Sequence, residues 1–286
     1  MISAPFEYYA PESVSEALRL LTANEDSRVL AGGQSLIPMM KLRLSRPSHL
    51  IDLGHIAELN YIAEANGSVR IGAMSTHNQI ETSETLRQKC PLLAETAGRI
   101  GDVQVRNLGT IGGSLSHADP AADYPAALQA LRAHVRLVSA KGDRTISTDQ
   151  FLIDAFTTAL EPGEILYEVI VPSDTSGLGS AYQKQQQPAS GFAVVGVAAQ
   201  LAVRDGNISV ARVGITGLAS RSYRAKAVEA ALEGNASTAA TLQAAARLAA
   251  QGEEPLSDVY AGPDYRTHVV QVATRRALEA ALARTR

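Results

Sequence analysis

The sequence contains a single cysteine, Cys90, among its 286 residues. A disulfide framework needs pairs of cysteines, and an iron–sulfur cluster needs about four cysteine thiolates. This chain therefore holds neither, and it lacks the ligands of a cysteine-rich zinc site. Its six histidines follow neither an HExxH nor a closely spaced HxH pattern, so a histidine metal site is not indicated. If the protein carries out redox chemistry, an organic cofactor must supply it.

Other features are also missing from the sequence. Tryptophan is absent, the formal net charge is only −3, and no basic block interleaves with aromatic residues. Nucleic-acid binding is therefore not indicated. No run of about 18 apolar residues is present, which argues against a transmembrane helix. The first residues lack the basic flank and apolar stretch of a signal peptide, so we expect a cytoplasmic protein.

The length and the predicted elements indicate an α+β protein of two domains. A polar segment at residues 173–180 is interpreted as the linker. We therefore expect domains at residues 1–176 and 177–286, the first with two α/β subdomains divided near residue 55. The second is expected to combine a long hairpin, residues 192–203 and 208–216, with closing helices.

Local signals support these elements. Ser13 and Glu16 predict a capping box at the start of the first helix. The pair Asn66-Gly67 is the sequence typical of a tight hairpin turn. Helices are predicted at residues 14–21, 36–44, 78–89, 92–100, 121–133, 224–233, 238–250 and 265–283.

Two glycine-rich segments carry small hydroxyl residues. Residues 32–35 follow a predicted strand and open a helix, and residues 109–114 precede another helical region. Such segments serve either as tight turns or as phosphate sites, in which backbone N–H groups face the anion. Neither segment has the GxGxxG or GxxxxGK[ST] pattern, so a Rossmann site and ATP hydrolysis are not indicated. The GxSxG pattern of a nucleophile elbow fails at Ser35 and at Ser114.

Four other residues allow more than one interpretation. Asp119 or Asp123 caps the helix that follows, or Asp123 accepts hydrogen bonds from sugar hydroxyls. His117 has no acidic partner at an obvious spacing, so we interpret it as a surface or packing residue rather than a base. Phe192 begins an apolar strand, where it either joins the core or covers a flat ring.

These segments resemble the FAD-binding medium subunits of the molybdenum hydroxylases, the relatives of carbon monoxide dehydrogenase, quinoline oxidoreductase and xanthine dehydrogenase. The resemblance rests on residues 31–38, 109–114 and 118–123, and it extends to residues 6–8 and 188–192. It implies a vanillyl-alcohol-oxidase-type (PCMH-type) FAD-binding domain. A C-terminal domain of the carbon monoxide dehydrogenase flavoprotein type would follow, with a small antiparallel sheet and a helical bundle.

The resemblance also implies an extended, non-covalently bound FAD. Residues 32–35 and 110–113 would hold the pyrophosphate, Asp123 the sugar or ribityl region, and Phe192 would lie near the isoalloxazine. Relatives often carry tyrosine, arginine and lysine at positions 192, 191 and 186, so this chain departs from them near the ring but not at the pyrophosphate. The expected FAD contacts are Ala31, Gly32, Gly33, Gln34, Ser35, Leu36, Ile100, Thr110, Ile111, Gly112, Gly113, Asp123, Gln186 and Phe192.

The implied function is electron transfer inside a larger oxidoreductase. A large molybdopterin subunit would hydroxylate the substrate, and a small subunit with two 2Fe-2S clusters would pass electrons to FAD here. An external acceptor would then take them, and the complex is expected to be a dimer of heterotrimers. Two other hypotheses stay open: a stand-alone FAD-dependent reductase similar to the enolpyruvyl reductase, and a non-enzymatic scaffold that has lost FAD. The intact glycines of both segments argue against the scaffold.

Overall fold

The computed structural model of the chain describes residues 2–173 and 177–285. Its first elements are β1 (Glu7–Tyr9), α1 (Val14–Ala23), β2 (Ser27–Leu30), α2 (Leu36–Lys41) and β3 (His49–Asp52). The three strands form a parallel sheet in the order β1–β3–β2. The two helices make the crossover connections that parallel pairing requires.

These first helices differ from the prediction in two details. The Ser13 side chain accepts a hydrogen bond from the Glu16 N–H at 3.2 Å, but the Glu16 carboxylate accepts from the backbone N–H of Glu12. Only half of the predicted capping box therefore forms. Helix α2 ends at Lys41 instead of residue 44, because Arg43 takes a left-handed φ of 60° that a helix cannot continue through.

A larger antiparallel sheet follows. Its strands and a neighbouring ribbon are β4 (Ile62–Ala65), β5 (Ser68–Gly72), β6 (His134–Ser139), β7 (Gly142–Ser147), β8 (Leu152–Asp154), β9 (Thr157–Thr158) and β10 (Ile165–Pro172). The sheet order is β4–β5–β10–β6–β7, while β8 and β9 pair separately. The predicted turn at Asn66 and Gly67 joins β4 to β5 with φ values of 51° and 70°, as a type I′ turn requires.

Most of the helices of the first half lie between β5 and β6. They are α3 (His77–Thr82), α4 (Glu84–Lys89), α5 (Pro91–Ala97), α6 (Val103–Leu108), α7 (Ile111–His117) and α8 (Tyr124–Ala130), and α9 (Thr148–Phe151) follows β7. The helix predicted at residues 78–89 is two helices, because Ser83 leaves α3 in extended geometry and caps α4. Helix α6 was not predicted, since it has no buried residue and so no apolar periodicity.

The second half contains a four-stranded antiparallel sheet and three helices. They are β11 (Gly179–Gln186), β12 (Ala193–Arg204), β13 (Asn207–Thr216), β14 (Tyr223–Arg224), α10 (Lys226–Leu232), α11 (Ala239–Ala246) and α12 (Pro263–Leu282). The predicted linker is too long at its end, because β11 already begins at Gly179. Residues 174–176 of that segment lie outside the described residues. Strand β11 itself was missed, because its second half is polar.

The two halves share apolar packing. The core of the first half contains Tyr124, which is fully buried, and it also includes Tyr182 and Ala198 from the second sheet. A Cβ atom at Gly214 of β13 would lie 2.0 Å from the Ala126 carbonyl oxygen of α8, so this contact requires glycine. The α+β class predicted from the sequence is confirmed. In the described ranges, no helix combines the length and the apolarity that crossing a bilayer requires.

Candidate cofactor site

A cleft of about 550 Å³ lies where the first sheet, the second sheet and the second half of the chain meet. Its size falls within the range of about 300–1,000 Å³ that is typical of ligand and cofactor sites. Most of the predicted FAD contacts line this one cleft. They are Ala31, Gly32, Gly33, Gln34, Ser35, Leu36, Ile100, Thr110, Gly112, Gly113, Asp123 and Phe192.

Two predicted contacts lie elsewhere. Ile111 is fully buried, and its side chain belongs to the core of the first half. Gln186 is exposed at the end of β11, where it pairs with Ala193, and it does not line the cleft. A place at the cofactor was predicted for both from the resemblance. A resemblance does not distinguish a residue that lines a cleft from a neighbour that points into the core, as Ile111 does, or into solvent, as Gln186 does.

The loop at residues 32–35 presents a row of free donors to the cleft. The backbone N–H groups of Gly32, Gly33, Gln34 and Ser35 have no hydrogen-bond partner anywhere in residues 2–173 and 177–285. Gly33 has a φ of +72°, which turns successive N–H groups into a concave arrangement that suits an anion. The Ser35 hydroxyl also bonds to nothing in the described part of the chain. These residues fit the phosphates of a dinucleotide.

The second glycine segment differs from the prediction, because it is itself a helix. Helix α7 begins at Ile111, and its first N–H groups already have protein partners. The N–H of Ile111 donates to the Ser75 carbonyl at 3.1 Å and that of Gly112 to the Ala73 carbonyl at 2.9 Å. The N–H of Gly113 donates to the Thr110 hydroxyl at 3.1 Å. In the part of the chain that the structure describes, backbone N–H groups without a protein partner are therefore found at residues 32–35 and not at residues 111–113.

The glycines of α7 have packing roles. A Cβ atom at Gly112 would lie 2.6 Å from the Cβ atom of Ala73, so glycine lets α7 approach the end of β5. A Cβ atom at Gly113 would lie 2.9 Å from the Thr110 hydroxyl oxygen and 3.3 Å from the Cβ atom of Ala31. The small residues thus bring α7 and the loop at residues 32–35 to opposite sides of one narrow cleft.

Asp123 is buried at the start of α8, but it does not cap that helix. Its carboxylate accepts a hydrogen bond from the Tyr182 hydroxyl at 2.6 Å and one from Lys184 Nζ at 2.9 Å. Lys184 also donates to the Arg99 carbonyl at 3.0 Å. Burial raises the pKa of the Asp123 carboxyl, while Lys184 and the Tyr182 hydroxyl oppose that rise. The capping interpretation of Asp123 is wrong, because the second half of the chain takes up its side chain.

The segment before Asp123 is also held by the second half of the chain. The Thr216 hydroxyl lies 2.8 Å from the carbonyl oxygens of both Pro120 and Ala122, and the Gly217 N–H donates to Pro120 at 2.9 Å. The Ala193 N–H donates to the Ala121 carbonyl at 3.3 Å. The carbonyl groups of residues 120–122, a segment of which Ala122 lines the cleft, are therefore held by hydrogen bonds from the second domain.

Comparison with known proteins identifies the family. Residues 4–174 match the family model described as the FAD binding domain in molybdopterin dehydrogenase. The chain belongs to the FAD-binding medium chains of the molybdenum hydroxylases. Residues 180–281 of this medium chain match the carbon monoxide dehydrogenase flavoprotein C-terminal domain. The predicted family, FAD cofactor and oxidoreductase class are thereby confirmed.

Relatives of this medium chain match it along its whole length. The carbon monoxide dehydrogenase medium chain of Hydrogenophaga pseudoflava is 41% identical over 285 residues, which cover 99% of each chain. Structures of carbon monoxide dehydrogenase from that organism and of quinoline 2-oxidoreductase from Pseudomonas putida 86 match with TM-scores of 0.97 and 0.94. Their identities are 43% and 33%, and the matches cover 100% and 99% of each chain.

Sequence reasoning missed two residues beside the cleft of this medium chain, Tyr182 and Lys184. They lie two positions apart on β11, so their side chains leave the strand on the same face. Both reach Asp123, and the Lys184 side chain is fully buried. A tyrosine and a lysine at alternate positions of a polar strand were the available signal, but the strand had not been recognised.

His77 is a third missed residue, and it lines the cleft from α3. Burial and the nearby Arg106 lower the pKa of His77 to about 4, so its imidazole is neutral at pH 7. Its Nδ1 atom lies 3.1 Å from the Tyr124 hydroxyl. A Cβ atom at Gly109 would lie 2.6 Å from its Nε2 atom, so Gly109 makes room for the imidazole. No pattern around residue 77 marks this position.

Phe192 lines the cleft with 43% of its surface exposed, so it is not a core residue. A closed turn holds it there: the Gln187 N–H donates to the Phe192 carbonyl and the Gly191 N–H to the Gln187 carbonyl, each at 2.9 Å. Gly191 has a φ of +75°, a conformation that favours glycine. A contact between Phe192 and the flavin ring stays a prediction.

Proposed function

We propose that this medium chain binds FAD non-covalently and carries electrons between iron–sulfur clusters of a partner subunit and an external acceptor. The observation that carries the proposal is the row of free N–H donors at residues 32–35, in a cleft of dinucleotide size. Bound FAD supplies the electron chemistry, since it takes up and releases electrons singly or in pairs. The residues of this chain hold and orient it.

Different residues along the cleft would bind different parts of FAD. Gly32 to Ser35 would hold the pyrophosphate through backbone N–H groups and the Ser35 hydroxyl. Residues 110–113 would close the opposite side of the phosphates by contact rather than by N–H donation. Asp123 would lie beside the sugar or ribityl region, with its carboxylate position fixed by Tyr182 and Lys184. Phe192 would lie near the isoalloxazine.

The proposal includes partner subunits that hold the metal cofactors. One cysteine leaves this chain without ligands for an iron–sulfur cluster, so the two 2Fe-2S clusters would lie in a small subunit and the molybdopterin in a large one. We propose a dimer of such heterotrimers in the cytoplasm. Relatives named as medium chains or as subunits of dehydrogenase complexes support a multi-subunit assembly.

An exposed apolar area beside the loop at residues 32–35 supports a partner surface. Helix α6 has no buried residue, and its Val103 and Leu108 are 59% and 60% exposed. Leu42 and Leu44, which follow α2, are also exposed. The Leu108 carbonyl packs against Gly32, and Leu44 lines the cleft, so these two residues lie next to the cofactor site. Such apolar surface is typical of an interaction site, and a stable interface buries about 1,200–2,000 Å².

The test of cofactor identity uses the purified chain and acid extraction followed by chromatography of the released flavin. We expect FAD, because FMN has one phosphate and would use fewer of the donors at residues 32–35. Recovery of FMN, or colour that stays with the precipitated protein, would contradict the proposal.

The test of the complex is co-purification of this chain with molybdopterin and iron–sulfur subunits. A chain that sediments alone in their presence would contradict the partner proposal.

A further inference from the structure

Phe156 is an aromatic side chain that is exposed inside the cleft. It lines the cleft, yet 61% of its surface is accessible, more than for Phe192. Phe151, only five residues earlier, is fully buried. An apolar ring loses favourable burial when it faces water. Its position in a cofactor cleft therefore indicates a surface that a ligand completes.

The backbone at Phe156 is held in an unfavourable conformation. Its φ is +54°, which bulky non-glycine residues rarely adopt. The Phe156 N–H donates at 2.9 Å to the carbonyl of Ala118, which has a left-handed φ of +51° at the end of α7. Two such residues bonded to one another are strained, and strain of this kind clusters at functional sites. With this conformation Phe156 lines the cleft and is not part of the core.

His117 fixes the ring from one side. The ring centroids of His117 and Phe156 are 5.2 Å apart with the planes inclined at 53°, which is a favourable aromatic contact. His117 lines the cleft as well. Phe156 is therefore positioned before any ligand arrives, which lowers the ordering cost of binding.

Phe156 and Phe192 flank the same short segment of chain. The Phe156 N–H bonds to Ala118, and the N–H of residue 193, next to Phe192, bonds to Ala121. Residues 119–122 form a turn, because the Ala122 N–H donates to the Asp119 carbonyl at 3.0 Å. The chain segments that carry the two exposed rings are therefore both hydrogen-bonded to residues 118–121.

We propose that Phe156, supported by His117, contacts the isoalloxazine ring of FAD together with Phe192. This inference rests on the proposed FAD function. Leu160, Ile165 and Leu166 add apolar surface to the cleft that Phe156 lines. Phe192, expected beside the flavin ring, precedes a residue that bonds to the same short stretch of chain as Phe156. The dimethylbenzene part of the flavin is apolar and suits such a surface.

The test compares Phe156→Ala with Ile153→Ala, which removes a side chain that is 52% exposed, lies three residues earlier and does not line the cleft. Titrations with FAD, FMN and ADP measure the affinities, and the absorption and fluorescence of bound flavin report the surroundings of its ring. We expect Phe156→Ala to weaken FAD and FMN about two- to tenfold and to alter the flavin spectra. ADP affinity is expected to stay unchanged, as are all properties of Ile153→Ala.

Phe156→Tyr keeps the ring and is expected to retain the FAD affinity and the spectra. Phe156→Leu keeps an apolar side chain for folding and is expected to behave like Phe156→Ala. Loss of ADP affinity with unchanged flavin spectra would overturn the inference in favour of adenine. Unchanged affinities and spectra in both Phe156→Ala and Phe156→Leu would overturn it as well. If the unsubstituted chain failed to bind FAD, the proposed function would fail too, so the two failures are distinguishable.

Discussion

At the scale of a single residue, a substitution at Ser35 is expected to change FAD binding without changing the stability of the fold. Its hydroxyl has no partner among the residues that the structure describes, so Ser35→Ala removes nothing from the folded chain. We expect the free energy of unfolding to stay within about 0.5 kcal/mol of the original value. FAD affinity is expected to fall about ten- to a hundredfold, because a hydrogen bond to a charged phosphate is lost.

Calorimetric titration with FAD and denaturant unfolding measure these two quantities. Ser209→Ala is the control, because Ser209 is exposed on β13 and does not line the cleft. A Ser35→Ala protein with full FAD affinity would show that this hydroxyl does not bind the phosphates. Substitutions at Gly113 are less informative, since a Cβ atom there disturbs the Thr110 hydroxyl that caps α7.

His77 gives the folded chain a pH dependence. Its pKa is lowered from about 6.5 to about 4, so below pH 6.5 the unfolded chain binds a proton that the folded chain excludes. This contribution to stability is present above pH 6.5 and is lost as the pH falls toward 4, by about 3 kcal/mol in total. His77→Gln lacks this contribution, so its unfolding free energy is expected to decline less over that range.

Denaturant unfolding at several pH values between 7.5 and 4.5 tests this expectation. His55→Gln is the matched control, because His55 is exposed and lies outside the cleft. Equal slopes for His77→Gln and the original chain would contradict the assignment of the pH dependence to His77.

At the scale of elements, the position of α7 depends on the close approach of Gly112, which has no side chain, to the end of β5. A Cβ atom at Gly112 would lie 2.7 Å from the Ala73 carbonyl oxygen, a backbone atom that cannot move alone. Gly112→Ala is therefore expected to push α7 away from β5 and to lower the unfolding free energy by about 1–3 kcal/mol. FAD affinity should fall as a consequence, which distinguishes this variant from Ser35→Ala.

Gly262→Ala is the control for this variant, because a Cβ atom there meets nothing within 4 Å and its φ of −79° suits any residue. The denaturation midpoints of both variants measure whether Gly112→Ala lowers the stability of the chain and Gly262→Ala does not. A Gly112→Ala protein as stable as the Gly262→Ala protein would contradict the packing role of Gly112.

The elements also show which parts of the fold the sequence predicts. The turn at residues 66–67 was predicted correctly, and the hairpin predicted from residues 192–203 and 208–216 turns at Asp205 and Gly206. Both turns depend only on their own residues, whose φ values are all positive. Helix α6 and strand β11 were missed because neither carries an apolar pattern of its own. The bond between Asp123 and Lys184 joins residues 61 positions apart, so no local pattern reveals it. The cleft loop at residues 32–35 was recognisable, because its glycines are consecutive.

At the scale of the whole molecule, Lys184 links the two domains through Asp123. Both side chains are buried, so Lys184→Met leaves a carboxylate without its cation. We expect this to lower the unfolding free energy by about 3–5 kcal/mol. The double variant Lys184→Met with Asp123→Asn is expected to recover much of the loss, because a neutral amide still accepts from Tyr182.

A double-mutant cycle with Asp123→Asn measures the coupling between the two side chains. Additive effects of the two substitutions would contradict a direct interaction. Lys226→Met is the control, because Lys226 lies at the start of α10, remote from the cleft, and forms no ion pair within the described ranges. Its unfolding free energy is expected to match that of the original chain.

The hydrogen bonds at residues 120–122 bear on how such chains recombine. A hybrid that joined residues 1–176 of this chain to the second half of a relative would keep residues 120–123 but lose the side chains that hold them. The cleft would keep its shape only if the second half of the relative had counterparts of Thr216, Tyr182 and Lys184. The domain boundary in the sequence is therefore not a point at which chains of two relatives can be joined freely. Such a hybrid keeps its cleft only when the residues on both sides of the cleft come from the same relative.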